Sequence, residues 1–109
     1  MATFVPIGVD AVFIGTGDTV IGQPPAGKSW AVARVPFCNS DTSDHTVTIG
    51  VITAGSLDDQ HTEWKELTVQ AKSTFEYGPA YLTDAQKLVA KADTASKISA
   101  RLHGIEKTP

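Results

Sequence analysis

One segment of the sequence, residues 22–29, matches the phosphate-binding loop pattern G-x-x-x-x-G-K-[ST]. In such a loop, backbone N–H groups surround the phosphates, a lysine neutralises them, and a helix follows. Here Pro24 and Pro25 remove two N–H donors, and the residues after Ser29 alternate as they do in a strand. The context favours a turn between two antiparallel strands, and a small nucleotide-binding or hydrolytic enzyme is the minor alternative.

An acidic segment at residues 58–63 is the second group of residues that could have a chemical role. Its side chains Asp58, Asp59, His61 and Glu63 include the oxygen and nitrogen ligands that divalent cations take. Their spacing matches neither a calcium loop nor a structural zinc pattern, so a solvated loop is the main interpretation. The sequence does not decide whether this loop binds a metal or a sugar. We assign no metal site and no cofactor.

The single cysteine, Cys38, could in principle act as a nucleophile with a histidine as its base. No third group and no oxyanion site is indicated, so we expect the protein not to be an enzyme. Because Cys38 follows Phe37 at the end of an apolar strand, we expect it to be buried as a small hydrophobic side chain. One cysteine also excludes an internal disulfide.

Length and composition describe one small globular domain. The chain has 109 residues, of which 41% are hydrophobic and 19% are charged, and two domains would leave each half too small for a core. The net charge is −3 without a basic block, which argues against nucleic-acid and membrane partners. No apolar stretch is long enough for a transmembrane helix, and no signal peptide is visible.

The dominant hydrophobic period is two, as in strands with one buried face. It is clearest around Val47, Ile49 and Val51, which alternate with threonine and glycine. Turn-forming residues separate such runs at short, regular intervals. The sequence therefore predicts an all-β fold, an antiparallel β-sandwich or jelly roll of about eight short strands.

Within this single domain we expect an extended N-terminal arm with the first strands at residues 1–20 and the sandwich core at residues 21–109. An irregular spacing between Trp64 and Leu67 predicts a β-bulge in the strand that carries them. The polar residues 106–109 are expected to fray.

Apolar side chains near the start of the chain, together with two tryptophans, are candidates for contacts with other subunits. An apolar first segment on a small β domain either pairs into its own sheet or reaches a neighbour. Tryptophan is a frequent interface anchor, although a core position is equally expected. The candidate interface residues are Phe4, Val5, Ile7, Val12, Phe13, Ile14, Trp30 and Trp64.

Several turn and strand-edge motifs together resemble a family of small tailed-bacteriophage proteins. The motifs are Pro25-Ala26-Gly27-Lys28, the run from Cys38 to Ile49 with its C-N-x-D-T-x-x-H-T-V-T pattern, Lys65-Glu66-Leu67-Thr68, the run from Val89 to Ala95, and Gly104-Ile105-Glu106. The resemblance covers most of the chain from about residue 20 onward.

This resemblance implies a virion component with a β-sandwich or jelly-roll core. The first implied role is a capsid decoration (cement) protein that binds the outer surface of the head and stabilises the shell. The alternative is a neck, tail or fibre-attachment component, including a receptor-binding one. The implied partners are the major capsid protein or other virion proteins, in a virion assembled in the host bacterial cytoplasm. A three-fold position on a capsid lattice favours a homotrimer.

Overall fold

A computed structural model describes residues 3–58 and 60–109 and arranges them in two antiparallel sheets. The strands are β1 (Thr3–Gly8), β2 (Val12–Phe13), β3 (Thr19–Gly22), β4 (Ser29–Asn39), β5 (His45–Ile52), β6 (Thr62–Val69), β7 (Thr74–Tyr77), β8 (Ala80–Leu82), β9 (Lys87–Ala92), β10 (Ile98–Ala100) and β11 (His103–Thr108). The described residues include no helix. The prediction of an all-β sandwich is confirmed, but the expected number of about eight strands is too low, because the described ranges contain eleven.

The first sheet is organised around the long strand β4. One edge of β4 pairs with β11 and β10, and its other edge pairs with β8 and β7. Strand β1 then extends the sheet beyond β11, and β2 extends it beyond β10. Every described pair of neighbouring strands is antiparallel, which is the arrangement that short turns permit.

A change of phase within β4 decides which of its side chains face the core. Trp30 and Val32 point inward, but Ala33 and Arg34 are both exposed, opposite a register shift in β11. Because a strand has a period of two, one extra residue moves all later side chains to the opposite face. The expected burial of Cys38 is therefore wrong: Cys38 is exposed.

The second sheet has the strand order β3, β9, β5 and β6. The bulge predicted between Trp64 and Leu67 is confirmed, because β6 contains one residue more than β5 just after the pair formed by Ile49 and Trp64. Within the bulge, Glu66 adopts a φ of 52°. Its N–H donates to Thr48 Oγ1 at 3.0 Å, which satisfies a backbone group that the ladder leaves unpaired.

The hydrophobic core lies between the two sheets. Its largest completely buried side chains are aromatic or branched aliphatic and come from both sheets and the loops beside them: Phe37, Ile14, Ile49, Leu82, Leu88, Ile98, Leu102, Val32, Val35, Val47 and Val69.

The loop after β5 covers part of the outer face of the second sheet. Leu57 from this loop packs with Ile52 and Val89 in a separate small apolar cluster. Leu57 N–H also donates to the Asp18 carboxylate at 2.7 Å, which fixes the loop to the turn before β3. A side chain at Gly50 would overlap with Leu57. Central β5 residues are consequently buried on both faces, where the alternation predicted one.

The first segment and the last strand pair with each other. Strand β1 pairs with β11 along its whole length, and Ile14 N–H donates to Ile98 O at 2.8 Å. The described part of the N-terminal arm thus pairs into the chain's own sheet. The expectation that residues 106–109 fray is wrong as far as Thr108, because β11 pairs with β1 on one side and β4 on the other.

Candidate interaction surface

The segment that matches a phosphate-binding loop forms a β-turn. Gly27 has a φ of 77°, and Lys28 N–H donates to Pro25 O at 3.0 Å, as a type II turn requires. Gly27 N–H donates to the Asp84 carboxylate at 2.7 Å, and Lys28 Nζ lies 3.4 Å from a carboxylate oxygen of Glu106. The groups that would bind a phosphate already face carboxylates, so the segment is not a phosphate cradle.

The acidic side chains after β5 do not converge on one point. Asp58 Oδ1 lies 2.7 Å from His61 Nδ1, and this hydrogen bond lowers the pKa of Asp58 below its ordinary value. Glu63 instead accepts a hydrogen bond from Tyr77 O–H at 2.6 Å. Burial, followed by the hydrogen bond to Glu63, raises the pKa of Tyr77. Asp59 lies outside the described residues. Among those described, no three His, Cys, Asp or Glu side chains are grouped as metal ligands.

A cluster around His45 was not identified from the sequence. His45 Nε2 lies 2.8 Å from Asp41 Oδ2, and Nδ1 lies 3.1 Å from Asp93 Oδ1. The spacing of Asp41 and His45 within one turn is a weak sequence signal for a contact. Asp93 is 48 residues away from His45, so only the pairing of β5 with β9 reveals it.

The candidate interface residues of the first segment divide between core and surface. Ile14 is completely buried in the core, so its side chain is not accessible to a partner. Ile7 and Val12 are partly buried and pack against the core. Phe4 and Phe13 are exposed, as is Val5. An interface role therefore stays a prediction for the exposed side chains.

The two tryptophans have different environments. Trp30 is 7% exposed, and its indole N–H donates to Glu106 Oε1 at 3.0 Å, so it acts in the core of this chain. Trp64 is 47% exposed and packs edge-to-face on Phe75, with ring centroids 6.3 Å apart. Since β6 and β7 belong to different sheets, this aromatic pair joins the sheets at the side of the sandwich.

The register of the first sheet creates a row of apolar side chains on its outer face. Pro6 pairs with Ile105, Ile105 with Ala31, and Ala31 with Tyr81. Directly paired residues project to the same face, so this row crosses four strands. Phe4 lies two residues from Pro6 and therefore extends the same face. Ile105 and Tyr81 are 45% and 58% exposed.

A groove with a volume of about 520 Å³ runs along this row. Its lining residues are all uncharged: Ala31, Val32, Ala33, Pro79, Ala80, Tyr81 and Ile105. We call the groove, together with Phe4 and Pro6, the outer apolar face. Sequence alternation alone does not identify it, because the face exists only when β1, β11, β4 and β8 lie side by side.

The outer apolar face is suited to contact through side chains and not through an added strand. Pro6 lies in β1, and among the described residues β1 pairs with β11 alone. Proline has no N–H and interrupts any ladder that would continue along this edge. By contrast, the second sheet is partly covered by the chain's own Leu57 loop. The outer face of the second sheet is thus partly covered by the molecule itself, while the apolar groove on the outer face of the first sheet is open.

No protein-family model, curated protein or solved structure matches this chain. Within the described residues there is no helix with the length and hydrophobicity of a membrane span. The fold and the surface define a class: an all-β sandwich whose open apolar face is its most prominent candidate site.

Proposed function

We propose that this chain is a structural virion protein of a tailed bacteriophage, namely a capsid decoration (cement) protein. It would bind the outer surface of the head through the outer apolar face and stabilise the shell without catalysing a reaction. The observation that carries the proposal is the uncharged groove flanked by Ile105 and Tyr81. Exposed apolar patches of this kind mark sites of protein association. The bacteriophage-like motifs of the sequence support the choice of partner.

The chemistry of the groove favours a protein ligand. Its lining is almost entirely aliphatic and aromatic carbon, with no charged side chain. Tyr81 O–H donates to Ser29 Oγ at 2.9 Å, so the one polar side-chain group of the lining already has a partner. A sugar would need several hydrogen-bonding groups there, and nucleic acid would need a basic surface. An apolar side chain of a neighbouring protein fits this lining.

The size of the face explains why such a protein would act in many copies. The row of paired residues crosses four strands, about 15 Å at the usual strand spacing. Along the strands it covers about five residues, about 17 Å, so its area is on the order of 250 Å². That area is well below the roughly 800 Å² per partner of a standard stable interface. A single contact would therefore be weak, and symmetric repetition on a shell, or a homotrimer, would add avidity.

Two matched substitutions test the face. Ile105→Glu places a charge in the groove, whereas Val20→Glu places the same charge on β3, at a side chain of similar exposure. We expect virions assembled with Ile105→Glu to lose the protein and those with Val20→Glu to retain it. The melting temperatures of both purified variants control for folding. Equal retention of the two variants would rule out the outer apolar face as the docking site.

Copy number tests the location. Quantitative mass spectrometry of purified virions is expected to find hundreds of copies, and light scattering of the free protein is expected to find a trimer. A dozen copies or fewer, with a ring-shaped oligomer, would instead support the alternative of a neck, tail or fibre-attachment component. Absence from purified virions would overturn both.

A further inference from the structure

Both ring nitrogens of His45 face carboxylates. The His45 side chain is only 10% exposed, and Asp41 and Asp93 approach it from opposite sides of the ring, at Nε2 and Nδ1 respectively. Ionised carboxylates accept hydrogen bonds and cannot donate them, while a neutral imidazole has a single N–H. Both contacts can therefore be hydrogen bonds only when His45 carries two protons.

The two carboxylates belong to different parts of the fold. Asp41 lies in the loop between β4 and β5, and its Oδ1 accepts a hydrogen bond from Thr42 N–H at 2.8 Å. Asp93 directly follows β9, and its N–H donates to Thr46 O at 3.1 Å. The doubly protonated ring of His45 consequently joins the β4–β5 loop to the segment that leads into β10.

That segment also holds part of the N-terminal arm. Ala92 N–H donates to Gly15 O at 2.8 Å, and Ser96 N–H lies 3.4 Å from Ile14 O. Ala92 and Ser96 therefore contact residues 14–15, while Asp93 between them contacts His45. A change in how firmly Asp93 is held would be transmitted to these arm contacts.

We propose that His45 is a proton-operated clasp. With two protons it holds both Asp41 and Asp93, and with one proton it releases Asp93, so that residues 93–97 and their contacts with residues 14–15 open more often. Asp93 is the carboxylate released because its contact is longer and its side chain is more exposed than that of Asp41, 41% against 27%. The clasp operates whether or not the chain is a virion protein.

Other charged side chains lie near the clasp, and each has a contact of its own. Lys97, from the β9–β10 segment, acts on Asp41 electrostatically. Lys72, in the turn after β6, points its Nζ at Ser40 O, and Asp44 accepts a hydrogen bond from Ala71 N–H. The residue of β6 paired with His45 is the apolar Val69.

The direction of the pH dependence follows from these contacts. The hydrogen bond that His45 donates to Asp41 raises the pKa of His45 above its ordinary 6.5, against an opposing effect of burial. The stabilisation by His45 is therefore fully present below pH 6.5 and is lost as the pH rises through the raised pKa. The same hydrogen bond lowers the pKa of Asp41 below 3.8, so the contribution of Asp41 is lost only as the pH falls through that lower value.

Hydrogen exchange measured across the titration tests the clasp. The His45 ring is followed by NMR from about pH 5 to about pH 9, together with protection factors for the amides of residues 93–97. We expect these protection factors to fall several-fold as His45 loses its second proton. Factors that stay constant through the His45 titration would overturn the proposal.

Two variants separate the clasp from a general effect of pH. Asp93→Asn supplies an amide that can either accept from or donate to Nδ1, so protection of residues 94–97 should become independent of the His45 titration. His61→Gln removes an exposed histidine that has a carboxylate partner in its own loop, and it should leave the pH dependence unchanged. A pH dependence that persists in Asp93→Asn, or disappears in His61→Gln, would contradict the assignment.

Discussion

The indole of Trp30 donates a hydrogen bond to the carboxylate of Glu106 at 3.0 Å, across the paired strands β4 and β11. The two residues are 76 positions apart in the sequence. The Glu106 side chain is 16% exposed and also lies 3.4 Å from Lys28. Glu106 thus completes the hydrogen bonding of a core tryptophan and adds a side-chain contact to the backbone pairing of β11 with β4.

Trp30→Phe should destabilise the protein in a pH-dependent way, because it removes the N–H and retains an aromatic ring. The hydrogen bond from Trp30, with a smaller effect of Lys28, lowers the pKa of Glu106 below 4.5. This stabilisation is present above pH 4.5 and is lost as the pH falls through the lowered pKa. In urea unfolding, the free energy of unfolding of Trp30→Phe should be lower than that of the parent at about pH 7, and this difference should be smaller at about pH 3. Trp64→Phe is the control, and its loss in free energy of unfolding should be the same at both pH values. The same pH dependence in the two variants would refute the prediction.

Gly50→Ala should displace the Leu57 loop. A methyl group at Gly50 would overlap with Leu57 and with the backbone carbonyl of His61. We expect a loss of about 1–3 kcal/mol in the free energy of unfolding, as for other overpacked sites. Gly17→Ala is the matched control, because a methyl group there meets nothing within 4 Å and should change stability little. An unchanged free energy of unfolding in Gly50→Ala would show that the loop is not closely packed against β5.

Glu66→Gly should stabilise the bulge in β6. Glu66 has a φ of 52°, a conformation that costs a residue with a side chain about 1–2 kcal/mol and glycine very little. Because glycine also loses more backbone entropy on folding, the net gain should be at most about 1 kcal/mol. Thr68→Gly, in the same strand without a positive φ, should instead reduce stability by about 1 kcal/mol. Chemical denaturation would measure both, and a loss at both positions would contradict this view of the bulge.

Nucleotide binding should be absent at residues 22–29. The Gly27 N–H and the Lys28 ammonium already face Asp84 and Glu106, so a triphosphate would meet carboxylates there. Isothermal titration with ATP and Mg²⁺ should detect no binding, and Lys28→Ala should give the same result. Binding by the parent that Lys28→Ala abolishes would restore the nucleotide hypothesis.

Local sequence patterns are sufficient to predict the fold class, but they do not predict the outer apolar face or the His45 clasp. Alternating residues such as Val47 and Ile49, separated by turn residues, identify strands because the pleat itself has a period of two. The β6 bulge was also visible, in the spacing of Trp64 and Leu67. The expected burial of Cys38 is wrong because a bulge earlier in β4 reverses the alternation of its side chains, and the sequence around Ala33 and Arg34 contains no sign of this bulge.

The outer apolar face and the His45 clasp depend on contacts between residues far apart in the sequence. Ile105 and Tyr81 come from different strands that meet only through β4, and Asp93 reaches His45 only because β9 lies beside β5. Periodicity reports which side of a strand a residue occupies. It does not report which strands are neighbours, so these sites required the strand order.

The position of β11 between β1 and β4 has a consequence for the timing of assembly in the cell. A chain leaving the ribosome presents β1 and β4 long before the residues that join them are synthesised, and such long-range pairing is slow to form. Ile105, which lines the groove, belongs to β11 and is therefore synthesised well after β1 and β4. The surface proposed to bind the shell therefore does not exist until β11 has been synthesised and has paired between β1 and β4.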